Sequence, residues 1–300
     1  MTADPRPRIG LAGYGFGGRY FHAPMLASLD GIEFVGVMTR SSERQSLVTA
    51  EHAVPCFDTV AALADGAETV GRLVVPHQNR RWDSDLLTVR AVLKQGVLGE
   101  VQRFESRFER LGTSGAVPAA GGGLLYDFGS HLVDQALLLF GPVDTVYAET
   151  GPPARAARSE TRFFASLTHR SGTVSHLFGD WVQGAPRPRF RVVGSEGAFV
   201  VGPGMVGQEQ ALIDGGSPGA DGSAWGIEPE SAWGWQQRGA ERTPVRSECG
   251  RWDLLYTAFA EAVAGRGEAP VTVAEAIASL TMIDACAESA RTGDVVRLTV

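Results

Sequence analysis

This sequence predicts an α/β fold followed by an α+β fold: a shortened parallel sheet, then an open, mainly antiparallel sheet domain with helices on one face. Three observations predict it. Before residue 80, short apolar runs alternate with helical patterns, as parallel β-α-β units require. Beyond Gly99, apolar and polar residues alternate singly over long stretches, the period of strands with one buried face. Between the first strand and the first helix lies a glycine turn, Gly13-Tyr14-Gly15-Phe16-Gly17-Gly18. The two domains are expected at 1–80 and 81–300.

Taken in order, 8–13 (RIGLAG) reads as a buried strand, and 19–29 as a helix with Phe21, Met25, Leu26 and Leu29 on one face. Glu33–Met38 reads as the second strand, Ser42–His52 as the second helix, and 54–57 as a third strand followed by a helix over 59–63. Residues 72–75, with an apolar run at 73–75, suit a fourth strand beside the first, giving the order 3-2-1-4. A helix over 82–95 closes this half. The second half shows strands at 100–110, 145–149, 161–167, 173–180 and 190–201, and helices at Leu124–Phe140, 251–264 and 273–291. The stretch 202–248, rich in Gly, Pro and Trp, reads as an irregular excursion.

Composition excludes several classes. A 44% hydrophobic and 20% charged content is that of a globular protein. A net charge of −7 without a basic stripe argues against a nucleic-acid partner. No apolar run approaches the roughly 20 residues a membrane span needs, and no apolar signal region opens the chain. Cys56, Cys249 and Cys286 lie far apart with no C-x-x-C pair, so neither a disulfide framework nor a metal site is expected, and the cytoplasm fits.

The glycine turn carries the first chemical signal. In G-x-G-x-x-G the first glycine, Gly13, makes the tight turn, and Gly15 lets backbone approach a pyrophosphate. Gly18 lets helix and strand pack closely. Phosphates then rest on the amides at the helix start, where the dipole favours anions. This is the Rossmann-type pattern for a dinucleotide. An acidic residue at the end of the second strand would hold the ribose of NAD; here the chain has Thr39-Arg40-Ser41. An arginine and two hydroxyls suit a 2′-phosphate, which favours NADP, with NAD possible; Arg40 as an ordinary solvated residue is the alternative.

The second signal is the segment 121–134. Asp127 and His131 are four apart, so a helix puts them on one face, while Leu124, Phe128, Leu132 and Gln135 form a neighbouring stripe that can be buried. An imidazole beside a carboxylate suits a proton acceptor, its tautomer set by the neighbour; a pair that merely satisfies a helix face is the alternative. Asp134 reads as solvent-facing or structural. His22, His52, His169 and His176 have ordinary readings. His77 follows a buried strand, and side chains just past such strand ends line the ligand crevice.

Together GLAGYGFGGRYFHAP, VPHQNRRWDSD, GGGLLYDFGSHLVDQALLLFG and FRVVGSEGAFV resemble the glucose-fructose oxidoreductase/inositol dehydrogenase (Gfo/Idh/MocA) family, in order and over nearly the whole chain. The resemblance implies oxidation of a secondary alcohol of a sugar or cyclitol, or reduction of the ketone, with NAD(P). It implies that His131 takes the hydroxyl proton and that Asp127 holds the substrate and orients the base. Tyr14, Phe16, Thr39 and Arg40 would line the cofactor site. His77, Asn79, Arg81 and Tyr126 are candidate substrate contacts. The family's Glu-Lys-Pro motif has no counterpart: between Phe57 and Leu73 there is room for one helix, so on the order of 50 residues are absent. Lys94, the sole lysine, sits in the last turn of a helix, where it complements the dipole. Impaired activity is therefore expected, with a non-catalytic nucleotide-binding or assembly protein as the alternative. The shortened sheet leaves an apolar flank, from which a homo-oligomer is expected.

Overall fold

The computed structural model describes residues 6–59, 62–63, 73, 75–109, 123–151, 160–185, 187–204 and 208–298. The strands are β1 (Arg8–Ala12), β2 (Glu33–Met38), β3 (Cys56–Phe57), β4 (Val101–Glu109), β5 (Val143–Thr150), β6 (Arg162–His169), β7 (Val174–Asp180), β8 (Phe190–Gly194), β9 (Ala198–Val201), β10 (Gly234–Arg238), β11 (Glu241–Val245) and β12 (Val296–Arg297). The helices are α1 (Ala23–Ala27), α2 (Ser42–His52), α3 (Ser84–Lys94), α4 (Leu124–Phe140), α5 (Gln208–Ile213), α6 (Pro218–Asp221), α7 (Trp252–Val263) and α8 (Val273–Thr292).

Two compact units result. Unit 1 comprises Met1–Trp82, Gly207–Gly226 and Arg251–Thr272; unit 2 comprises Asp83–Val206, Ile227–Gly250 and Val273–Val300. The boundary expected at 80/81 falls after Trp82, and the continuous 81–300 domain of the sequence reading is interrupted twice. The cause is apolar burial. Leu212, Trp225, Trp252, Leu255 and Val271 share one core with Ile9, Met25, Leu26 and Ile32. An amphipathic pattern announces a face to bury but not which sheet receives it.

Unit 1 holds a parallel sheet in the order β1-β2-β3. Of the fourth strand expected at 72–75, Arg72 and Val74 lie outside the described residues. Leu73 is 40% exposed, and neither Leu73 nor Val75 has strand pairing. The described sheet therefore has three strands where the sequence reading expects four. Most of helix 59–63 also falls outside; what is described includes one turn closed by the Leu63 amide on the Thr59 carbonyl at 3.1 Å.

The helix expected at 19–29 is divided into a wide π turn at Gly18–His22 and then α1. Pro24 explains it. Proline has no N–H for the carbonyl four residues back, and the Ala23 amide instead reaches Gly18. The expected apolar face is present: Met25 and Leu26 are buried, with Phe21 and Leu29 packed against the same core.

Unit 2 holds a nine-stranded sheet in the order β11-β10-β9-β8-β4-β7-β6-β5-β12. β4 runs parallel to β7, and the other neighbours pair antiparallel. Alternation gives the sheet one buried face: Phe104, Phe108, Ala165 and Leu177 join a core with Val89 of α3, Leu132 of α4 and Ile283 of α8. Fully burying a side chain such as Leu132 contributes about 1.5–3 kcal/mol. Residues 190–201, expected as one strand, fold back as β8 and β9, closed by the Gly194 amide on the Gly197 carbonyl at 2.9 Å. The excursion 202–248 is less irregular than expected, since β10 and β11 extend the sheet as a hairpin.

Beneath that sheet Arg189 is a buried hub. Its guanidinium lies 3.2 Å from Asp85 and donates to Ser106 Oγ at 2.8 Å and to Gln135 Oε1 at 3.3 Å. It thereby ties α3, β4 and α4 together. Buried charge of this kind persists only when paired and hydrogen-bonded.

Candidate functional site

In unit 1 the glycine turn extends β1. The Gly13 amide donates to the Met38 carbonyl at 2.9 Å, continuing the ladder with β2. Gly13 has φ +104°, a conformation side chains rarely adopt. A Cβ on Gly18 would lie 2.4 Å from the Gly13 carbonyl oxygen, so helix start and strand end meet backbone to backbone. A Cβ on Gly15 would meet nothing within 4 Å. The turn is tight at its first glycine, close-packed at its last, and open at the middle one, which is the surface a pyrophosphate needs.

The side chains around the turn divide. Tyr14 points inward: it is 2% exposed and donates from its hydroxyl to Glu51 at 2.6 Å. Burial, reinforced by that bond, pushes its phenol above the usual range. Burial would also raise Glu51, but hydrogen bonds from Arg19 and Tyr14 outweigh it and hold the carboxyl below its ordinary value. Tyr14 can thus offer a ligand its backbone, not its ring. Phe16 is 58% exposed and leans on Tyr20 and Phe21. Thr39 is buried at the end of β2, its carbonyl accepting from the Gln45 side chain at 3.0 Å, while Arg40 is exposed. The open space at Gly15 and the exposed Arg40 suit a phosphorylated dinucleotide.

His77 does not stand alone. Its Nε2 lies 3.2 Å from the Tyr256 hydroxyl, and His22 Nδ1 lies 3.0 Å from the same oxygen. Asn79 and Arg81 are buried in a 3-10 turn, 4% and 6% exposed. Sequence reasoning gave His22 an ordinary role and did not single out Tyr256. The signal was absent, since Tyr256 arrives on a helix remote in sequence.

In unit 2, α4 carries the Asp-His pair. Its start is built by Gly123 and Glu160. Gly123 has φ +87°, and a Cβ there would lie 2.2 Å from the Glu160 carboxylate. Glu160 accepts from the Leu124 amide through its backbone at 3.3 Å and from the Leu125 amide through its side chain at 3.2 Å. An anion capping a helix start is favoured by the dipole. Gly121 and Gly122, the rest of the expected glycine run, lie outside the described residues.

The expected buried stripe of Leu124, Phe128, Leu132 and Gln135 is present. Tyr126 and Asp127 are exposed and His131 half-buried on the other side. The Tyr126 hydroxyl donates to Asp284 at 3.2 Å, and its pKa is raised by burial and then by that carboxylate. Asp134 is 2% exposed, which decides between its two readings in favour of a structural one. His169 is also structural, held by the Gly141 carbonyl and Ser175, each at 2.8 Å. Among the described residues no group of three or more His, Cys, Asp or Glu could hold a metal, and no helix is long and apolar enough to cross a membrane.

Residues 86–200 match the model of the GFO/IDH/MocA C-terminal domain. The uncharacterized oxidoreductase YdgJ of Escherichia coli is 28% identical over 346 aligned residues, covering 95% of this chain and 96% of YdgJ. The scyllo-inositol 2-dehydrogenase (NADP(+)) IolW of Bacillus subtilis is 27% identical, covering 95% and 94%. The solved structure of YPO2259 from Yersinia pestis is 27% identical with a TM-score of 0.84, covering 98% of each chain.

Proposed function

We propose that this chain, whose residues 86–200 match the GFO/IDH/MocA C-terminal domain, is an oxidoreductase of the Gfo/Idh/MocA family that moves a hydride between NADP and a secondary alcohol or ketone of a sugar or cyclitol. The observation that carries the proposal is the glycine turn: Gly13 at φ +104°, Gly18 with no room for a Cβ, and Gly15 open. The NADP-dependent inositol dehydrogenase among the relatives supports the cofactor and substrate class.

The amides that follow Gly13, at the helix start, hold the pyrophosphate, and Arg40, exposed after β2, pairs with the 2′-phosphate. Bound nicotinamide supplies the hydride acceptor or donor. His131 takes the proton of the substrate hydroxyl, and Asp127, one helical turn earlier, holds substrate and orients the imidazole. Tyr126 and His77 are further polar contacts for hydroxyl groups. Asn79 and Arg81, buried in their turn, support the segment that carries His77.

By the resemblance read from the sequence, the family's Glu-Lys-Pro lysine has no counterpart here, Lys94 being the sole lysine. A hydrogen-bond donor of that kind is worth roughly 3–4 kcal/mol in the transition state, so turnover slowed by about a few hundredfold is expected. The same absence favours a second reading, a nucleotide-binding protein without turnover.

Titration with NADPH and NADH, followed by a polyol panel, separates them. Preference for NADPH, reversed by Arg40→Asp, with slow polyol oxidation supports the enzyme. Equal affinity for both cofactors removes the NADP assignment. Tight binding with no turnover supports the second reading.

A further inference from the structure

In unit 2 the face of the sheet turned away from α4 carries a cavity that the chemistry of α4 does not use. Strand register lays its floor. Across β5, β6, β7 and β4, Glu149 pairs with Phe164, Phe164 with Phe178, and Phe178 with Arg107. Two residues along each strand, Arg162 pairs with Asp180, and Asp180 with Glu109. These positions alternate with the buried Phe163, Ala165, Leu177 and Phe108, so both rows lie on the face away from the core. They border a cavity of about 300 Å³ whose walls include Glu149, Arg162, Phe164, Phe178, Asp180 and Arg187. Small-molecule sites span roughly 300–1,000 Å³, so this one suits a single small ring.

Several contacts shape the walls. A Cβ on Gly151 would lie 2.2 Å from Arg162 Cγ, so the stem of the arginine rests on bare backbone. The Phe164 and Phe178 rings pair with centroids 5.0 Å apart at 34°. The guanidinium groups of Arg107 and Arg187 lie over the Phe178 ring at 4.7 and 4.6 Å, and Arg187 also pairs with Glu109. That leaves Phe164, half-buried, as the ring for a ligand. Each carboxylate is fixed at one oxygen: Asp180 Oδ1 accepts from the Val182 amide, and Glu149 Oε1 from the Tyr147 hydroxyl, both at 2.8 Å. Charge then decides the ligand class. Two carboxylates and two guanidinium groups share the walls, so neither an anion nor a cation is favoured. The signs are interleaved, Arg162 beside Asp180, so no positive end stands opposite a negative one for a zwitterion. Ionised carboxylates only accept hydrogen bonds and guanidinium groups only donate, whereas a hydroxyl does both.

We propose that this cavity binds a neutral polyhydroxylated ring, a single sugar or cyclitol, at a site separate from the one on α4. The apolar C–H face of the ligand rests on Phe164. Its hydroxyls donate to the second oxygens of Glu149 and Asp180 and accept from Arg162 and Arg187. No bond is made or broken there, so the site holds a ligand without transforming it. It is independent of hydride transfer and stands whether or not the chain oxidises a polyol.

Titration of the full chain, labelled with ¹³C-phenylalanine, against myo-inositol and D-glucose tests the site, with Phe164→Leu assigning the ring signal. The Phe164 signal is expected to move along a saturating curve with a polyol, and to stay in place with inorganic phosphate or glycine. Arg162 is exposed, so Arg162→Met is expected to keep the native Tm while polyol affinity falls by roughly tenfold or more. Gly151→Ala, which displaces Arg162 but keeps its charge, is expected to weaken binding as well. His131→Ala is expected to leave the Phe164 shift as it is in the native chain. No shift with either polyol, tighter binding of phosphate or glycine, or native affinity in both Arg162→Met and Gly151→Ala would overturn the site. So would a shift that vanishes in His131→Ala, which would place the ligand at α4. A lost shift accompanied by a changed sedimentation coefficient in Arg162→Met would make this face an interface between copies and overturn it too.

Discussion

The glycine turn and helix α4 solve opposite problems of presentation. At the turn, side chains are removed so that backbone can face a ligand: Gly15 is open, and the Tyr14 ring is turned into the core. At α4 the first amides are already taken by Glu160, and what the helix offers are the side chains of Tyr126, Asp127 and His131. On the proposed function, changes at the turn are expected to act through backbone sterics and cofactor affinity, and changes on α4 through functional groups and turnover.

The largest expected effect separates the two regions most sharply. His131→Ala should lower kcat by about 10² to 10⁴ and leave NADPH affinity unchanged, as measured by steady-state kinetics and fluorescence titration. A variant as fast as the native chain would remove His131 from the proton step. At the turn, Gly18→Val forces a Cβ against the Gly13 carbonyl. Overpacking of this kind costs about 1–3 kcal/mol, so NADPH affinity should fall by roughly tenfold to a hundredfold. Gly15→Ala, with open space around its Cβ, should lose less. Equal losses at the two glycines would contradict the close packing.

Smaller effects sharpen the same contrast. Glu160→Gln removes the anion at the start of α4 and should lower stability by about 0.3–1 kcal/mol, read as a drop in Tm, with cofactor affinity intact. A loss of NADPH affinity instead would tie α4 to cofactor binding. The smallest effect concerns Glu51, whose carboxyl is held below its ordinary value by Arg19 and Tyr14 against burial. A group depressed in the folded state stabilises it above the ordinary carboxylate range, and that contribution is lost as pH falls through the folded value. The Tm difference between the native chain and Glu51→Gln should thus be largest near neutral pH and shrink in acid. A gap that widens in acid would reverse the sign assigned to Glu51.

Local patterns were the legible part of the molecule. β2, α2 and α4 have the limits their periodicity predicts, and the spacing within 13–18 anticipates both the positive φ of Gly13 and the contact at Gly18. Long-range pairing was not legible. Nothing in 251–264 says that α7 joins unit 1, and so nothing pointed to Tyr256 between two histidines. Residues 190–201 alternate like one strand because both arms of the β8–β9 hairpin do; the reversal rests on Ser195-Glu196-Gly197 alone. The inward Tyr14 escaped notice for the same reason, since its partner Glu51 lies at the far end of α2.

Transfer of deuterium from NADPH labelled at nicotinamide C4 to the ketones of a sugar and cyclitol panel, followed by mass spectrometry, tests the central claim most directly. The account predicts label on the carbon of the new secondary alcohol with the native chain and a loss of about 10² to 10⁴ in rate with His131→Ala. Tight NADPH binding without any transfer of label by the native chain would contradict it.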